Sequence, residues 1–356
     1  MTISDLKYLR LHNQLISQQP YANAGNVVAA LGAMQAQDYA AAKWAIGLRL
    51  PEATDEDIEA AIAQKTIVRT WALRGTLHFL AAADIHWILS LIAPRLNTLY
   101  ASHFKRLELD SAVLSKSFST IEKALRNGKQ LTRTELAAIL NKKGIATNDL
   151  RMNFILLRAS LDKLICFGER NGKQFTHTLL DKWAPATKAI KKEEALAMLA
   201  ERYLSSHAPS SLKDFVWWSG FPLTEAKAAF AMVDDKFEEK TIGGNAYWLP
   251  KKLPDFKKKQ SLYLLPAFDE YLMGYADRTT VVDEKYLSHI ATNNGIFNPT
   301  IVVNGHVEGN WKRTLKKDKV LVEPHIFEAI SKSNQSALKA VSKRFGKFLN
   351  ISAEIS

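Results

Sequence analysis

At 356 residues the chain is longer than a single hydrophobic core usually serves, so roughly two to four domains are expected. Apolar residues make up 47% of it, against 16 Gly and 11 Pro, which excludes a disordered or collagen-like chain. The net charge of +12, from 48 basic and 36 acidic residues, suits a polyanionic partner such as nucleic acid, and equally suits a soluble protein that is merely basic. The single cysteine, Cys166, excludes an intramolecular disulfide; within Leu164-Ile165-Cys166-Phe167 it reads as a small buried hydrophobe. The opening Met1-Thr-Ile-Ser-Asp-Leu-Lys lacks a signal-peptide core and no segment approaches a membrane span, so a cytoplasmic protein away from membranes is expected.

In chain order, Leu6, Leu9, Leu11 and Leu15 have helical spacing, and so do Val27, Val28, Leu31 and Met34, which lead into Gln35-Ala36-Gln37. Residues 55–64 predict a third helix with acidic residues at its start. Val68 to Leu80 predicts a hairpin turning at Arg74-Gly75. The order then recurs. A helix over 111–125 precedes the capping box Thr132-Arg-Thr-Glu135, a helix over 149–164 follows, and two strands flank Asn171-Gly172. A third round places helices over 193–204, 212–218 and 223–233 before strands around Gly243-Gly244-Asn245. Beyond residue 255 strands prevail, at 262–266, 300–304, 306–311 and 319–322, with a helix near 326–345 and a short last strand. The expectation is an α+β chain of three tandem winged-helix modules (1–105, 106–186 and 187–255) followed by a closed C-terminal β-barrel domain (256–356) with its helix.

Two stretches carry chemistry: Met34-Gln35-Ala36-Gln37-Asp38, and Arg69-Thr-Trp71-Ala-Leu-Arg74-Gly75-Thr76-Leu77-His78. An amide offers an acceptor and two donors, so a pair of glutamines can hold a water and bond a substrate without adding charge. Together these stretches resemble the AlkZ/YcaQ-type DNA glycosylases, winged-helix enzymes that excise alkylated bases and unhook interstrand crosslinks. The catalytic signature there is Gln-apolar-Gln in one branch and Gln-apolar-Asp in the other; Gln35-Ala36-Gln37 matches the first. The segments Asp269–Arg278 and Val303–Trp311 also resemble the family's barrel.

The resemblance implies a monofunctional DNA glycosylase, a monomer acting on double-stranded DNA that carries alkylated purines. A cationic alkylpurine is already a good leaving group, so the enzyme needs mainly a positioned water and stabilisation of an oxocarbenium-like sugar. Gln37 is expected to orient the water with Gln35 as its partner. Asp38 fits a helix cap or solvent contact better than catalysis. No lysine adjoins the pair, Lys43 being six positions beyond Gln37. The nine histidines show no ligand-like spacing, and His78 reads as a hydrogen-bonded structural residue, so neither metal nor cofactor is expected.

DNA contacts are expected at Arg69 and Arg74, and in the basic runs at Lys257, Lys258, Lys259, Lys312 and Arg313. Each also fits a plainer role, an internal bond for the arginines of the hairpin and a solvated face for the runs. Trp217-Trp218 reads as core with one ring open to solvent, and Asp269-Glu270 as structural. Two rivals share this layout: a winged-helix transcription regulator, and a DNA-binding or scaffolding protein that has lost catalysis.

Overall fold

The computed structural model describes all residues except 187 and 293; the expected module boundary at 187 therefore lies outside the described residues. The chain packs as two compact units, one of Met1–Ile58 with Leu196–Ser356 and the other of Glu59–Ala195.

In the first unit, Thr2 and Asp5 form a capping box for the helix Ile3–Asn13. The helix Ala24–Leu31 is capped by Asn23 and stops at Gly32, whose φ of +78° takes the chain out of the helix. That stop corrects the apolar spacing read from the sequence: Met34 and Gln35 form a two-residue strand, not a helix end. The helix Tyr39–Gly47 begins two residues after Gln37. Further on come Leu212–Ser219, Leu223–Ala231 and the hairpin Phe237–Ile242 with Asn245–Pro250.

A five-stranded sheet completes this unit, in the order Ser352–Ile355, Lys319–Ile326, His306–Leu315, Thr300–Val303, Leu262–Leu265. Neighbours pair antiparallel, except that the last strand of the chain pairs parallel with Lys319–Ile326. The expected closed barrel is therefore corrected to an open, curled half-barrel, because Leu262–Leu265 and Ser352–Ile355 remain edges. The edge at Leu262–Leu265 is covered instead of closed. Trp44 and Trp311 donate their indole N–H groups to the carbonyls of Leu264 and Leu265, each at 2.8 Å. Phe345 of the helix Lys332–Phe348 packs on both rings with centroids 5.1 Å apart.

The second unit holds the other two hairpins, Ile67–Ala72 with Thr76–Ala81, and Ile165–Asn171 with Gln174–Leu179. Gly75 turns the first at φ +83°, and a Cβ there would collide with the Tyr100 hydroxyl. The helices Ser111–Leu125, Arg133–Lys142 and Arg151–Leu161 pack with the second hairpin, and Thr132 and Glu135 form the expected capping box. Cys166 is fully buried, and burial pushes its thiol far above the usual range. Among the described residues no helix is long and apolar enough to cross a membrane.

Candidate active site

The glutamine pair lies between two helices, Gln35 at the end of a two-residue strand and Gln37 at the bend that follows, and its neighbours fix it. Met34 and Ala36 are buried, and Gln35 is 7% exposed, whereas Gln37 is exposed. Asp38 caps the helix Tyr39–Gly47 by accepting from the Ala41 N–H at 3.0 Å, the role its position suggested. Arg313, from the strand His306–Leu315, stands 3.8 Å from the Asp38 carboxylate. One of the expected DNA-contacting arginines is thereby brought beside the motif.

Behind the motif lies a buried polar network. The Gln35 N–H donates to Glu270 Oε1 at 3.0 Å, and the Trp218 indole N–H donates to Glu270 Oε2 at 3.0 Å. His207 Nε2 stands 3.5 Å from the same Oε2. Next to Glu270, Asp269 takes both terminal nitrogens of Arg49, each at 2.8 Å, and Arg49 Nε donates to the Gln14 carbonyl. Burial pushes the Tyr203, Tyr271 and Tyr275 hydroxyls above the usual phenol range, so they donate as neutral groups to the carbonyls of Gly274, Gly305 and His207, each at 2.7 Å. The guanidinium of Arg10 lies 3.8 Å from the Tyr275 ring centroid.

The lysine nearest to the pair in sequence offers no accessible amine. Lys43 is 3% exposed and its Nζ is 2.6 Å from Asp55 Oδ2. Among the described residues no group of three His, Cys, Asp or Glu side chains is placed to hold a metal.

The remaining expected contacts divide. Lys257, Lys258, Lys259 and Lys312 are exposed, and Lys258 forms an ion pair with Asp5, whose carboxyl it helps hold down at about 2. Arg69 belongs to the second unit and is corrected from a surface cation to a core residue. It is 4% exposed, with its guanidinium 4.8 Å from the Phe167 ring centroid and 4.3 Å from that of Phe175. Arg74 is half-buried at the turn of the same hairpin. His78 is buried with Nδ1 2.9 Å from the Thr76 carbonyl, in line with a structural role. Trp218 is core, while Trp217 is 40% exposed and donates its indole N–H to the Met273 carbonyl.

Sequence reasoning missed the link from Glu270 to Gln35. The only signal for it was two adjacent carboxylates, Asp269-Glu270, set among apolar residues.

Comparison with known proteins bears on the family and the fold. The family model described as DNA glycosylase AlkZ-like matches residues 28–348. The interstrand DNA cross-link repair glycosylase of Streptomyces sahachiroi is 24% identical over 318 residues, 85% of each chain. The solved structure of the Streptomyces sahachiroi DNA glycosylase AlkZ superposes with a TM-score of 0.83 over 100% of both chains at 21% identity, a likeness of fold.

Proposed function

The chain belongs to the AlkZ-like DNA glycosylase family, and from that premise we propose that it hydrolyses the N-glycosidic bond of alkylated purines, of the 7-alkylguanine type, in double-stranded DNA. Gln37 orients the attacking water and Gln35 is its partner. The water oxygen bonds to C1′ as the C1′–N bond breaks. The bond's electron pair neutralises the cationic purine, and the water's proton passes to solvent. The enzyme works as a cytoplasmic monomer, and a water mechanism calls for no metal or cofactor. Interstrand cross-links enter the proposed substrate range through the name of the Streptomyces relative. Within the fold, the three runs of helices and a hairpin are read as winged-helix modules with boundaries near 105, 186 and 255.

One observation carries the reading. The motif presents an exposed neutral amide, Gln37, directly before a capped helix, while Lys43, the lysine nearest to it in sequence, is buried on a carboxylate. With water and not an amine as nucleophile no Schiff base forms, and base release is not followed by strand cleavage.

The test is single-turnover release of 7-methylguanine from duplex DNA. Gln37→Ala is expected to slow release by about 10²-fold with DNA affinity little changed, the size seen when one preorganised hydrogen-bonding group is lost. Gln35→Ala does the same less severely. Unaltered release by the double variant would discard the site. Trapping on DNA with borohydride would contradict the water mechanism. A wild-type protein that binds DNA and leaves no abasic sites would belong with the regulators or scaffolds.

A further inference from the structure

We propose that Glu270 is the positioning residue of the glutamine motif, an inference that rests on the glycosylase reading of Gln35 and Gln37. Its carboxylate, 2% exposed, accepts the Gln35 backbone N–H on one oxygen and the Trp218 indole N–H on the other, each at 3.0 Å. A buried donor or acceptor left without its partner is costly, so both bonds are firmly held.

The clamp acts on the backbone and not on the Gln35 amide. Buried Met34 and Ala36 fix the chain on either side of the clamped N–H, and Gln37 leaves the interior two residues on. Gln37 is only two residues from the clamped N–H, so a shift at Gln35 displaces Gln37 as well. The other end of the clamp is rigid. Trp218 is 1% exposed and packs on Tyr203 and His207, with ring centroids 5.0 and 5.5 Å away. Glu270 itself sits beside Asp269, which Arg49 holds with two bonds. The motif is thereby referred to a packed aromatic cluster. Glu270 is a positioning residue and need not touch substrate.

The proposal makes an unusual demand on Glu270→Gln. An amide of the same volume has one acceptor oxygen, so its NH2 must face one of two N–H donors. Adding Trp218→Phe removes one donor and lets the amide oxygen turn to Gln35. Glu270→Gln is expected to slow single-turnover release of 7-methylguanine by about 10- to 10²-fold, the penalty for misplacing a catalytic group by a fraction of an ångström to 1 Å, with DNA affinity within about threefold of wild type. The double variant should recover to within about twofold of Trp218→Phe alone, a non-additivity that general destabilisation does not produce. In parallel, hydrogen exchange of the Gln35 amide, followed by NMR, should rise at least about tenfold in Glu270→Gln and fall back in the double variant.

A wild-type rate in Glu270→Gln, rate and affinity falling together, no rescue in the double variant, or unchanged Gln35 exchange would each overturn the proposal. If Glu270→Gln does not melt cooperatively, Trp218→Phe alone decides: it should slow release about threefold and raise Gln35 exchange, and no change in either overturns the clamp. If wild-type protein releases no 7-methylguanine, the proposed function fails, and Gln35 exchange alone judges the clamp.

Discussion

Arg49 and Asp269, 220 residues apart, meet as a two-point ion pair in which neither side chain is exposed at all. Arg49 also donates to the carbonyls of Gln14 and Ala45 and to the Gln14 side-chain oxygen, so its charge is met by five acceptor oxygens in the interior. Removing one partner strands a buried charge. Arg49→Met or Asp269→Asn alone is expected to cost about 3–5 kcal/mol in denaturant unfolding, and Arg49→Met with Asp269→Leu less than the sum of the two. Single variants within about 1 kcal/mol of wild type would show that the pair is not holding this unit together.

The second unit should lose stability in mild acid through His177. Burial pushes this imidazole from 6.5 down to about 4, and it packs 4.6 Å from the Phe167 ring. The folded state therefore excludes the proton that the unfolded chain binds below about 6.5. The contribution is complete above pH 6.5, shrinks as pH falls through the window, and levels off near pH 4, a loss of about 3 kcal/mol. In His177→Phe the unfolding free energy should fall less between pH 7.5 and 4.5 than in wild type. An equal fall would assign the acid sensitivity to other groups.

Arg69 and Arg74 lie on one hairpin and should behave oppositely. Arg69→Ala strips a buried cation from two phenylalanine rings and should destabilise by about 2 kcal/mol without changing the salt dependence of DNA binding. Arg74→Ala should lower the log–log salt slope by about 1. Exchanged outcomes would reverse the two assignments.

Replacing Lys257, Lys258 and Lys259 together by Ala should reduce the salt slope of duplex binding by about 0.9 for every phosphate no longer neutralised. Lys258→Ala alone should do least, since Lys258 is already engaged by Asp5. An unchanged slope in the triple variant would make the run a solvated face.

What the sequence disclosed was local. Asn171-Gly172 marked a hairpin and Thr132 with Glu135 marked a helix start, because each signal and its consequence lie within a few residues. Arg69 misled for a definable reason. Its strand, Ile67–Ala72, is covered on both faces, with only Trp71 left partly open, so alternation no longer separates inward from outward positions. The closed barrel failed similarly, since closure depends on which strands become edges, and the parallel pairing of Ser352–Ile355 with Lys319–Ile326 leaves no local trace. Gln35-Ala36-Gln37 was visible as a motif, while the carboxylate that grips it lies 235 residues on.

That separation bears on how the molecule is made. A ribosome delivers the glutamine motif early and Glu270 only after the whole of Glu59–Ala195 has emerged. The intervening unit has all its own strands and helices in hand first and can fold while synthesis continues, as domains generally do. The stretch Met1–Ile58 must wait, with the Gln35 N–H and the Trp44 indole still lacking their partners Glu270 and Leu264. The motif of the nascent chain thus stays without this hydrogen bond until the last third is made, and a truncated product would carry Gln35 without the Glu270 carboxylate.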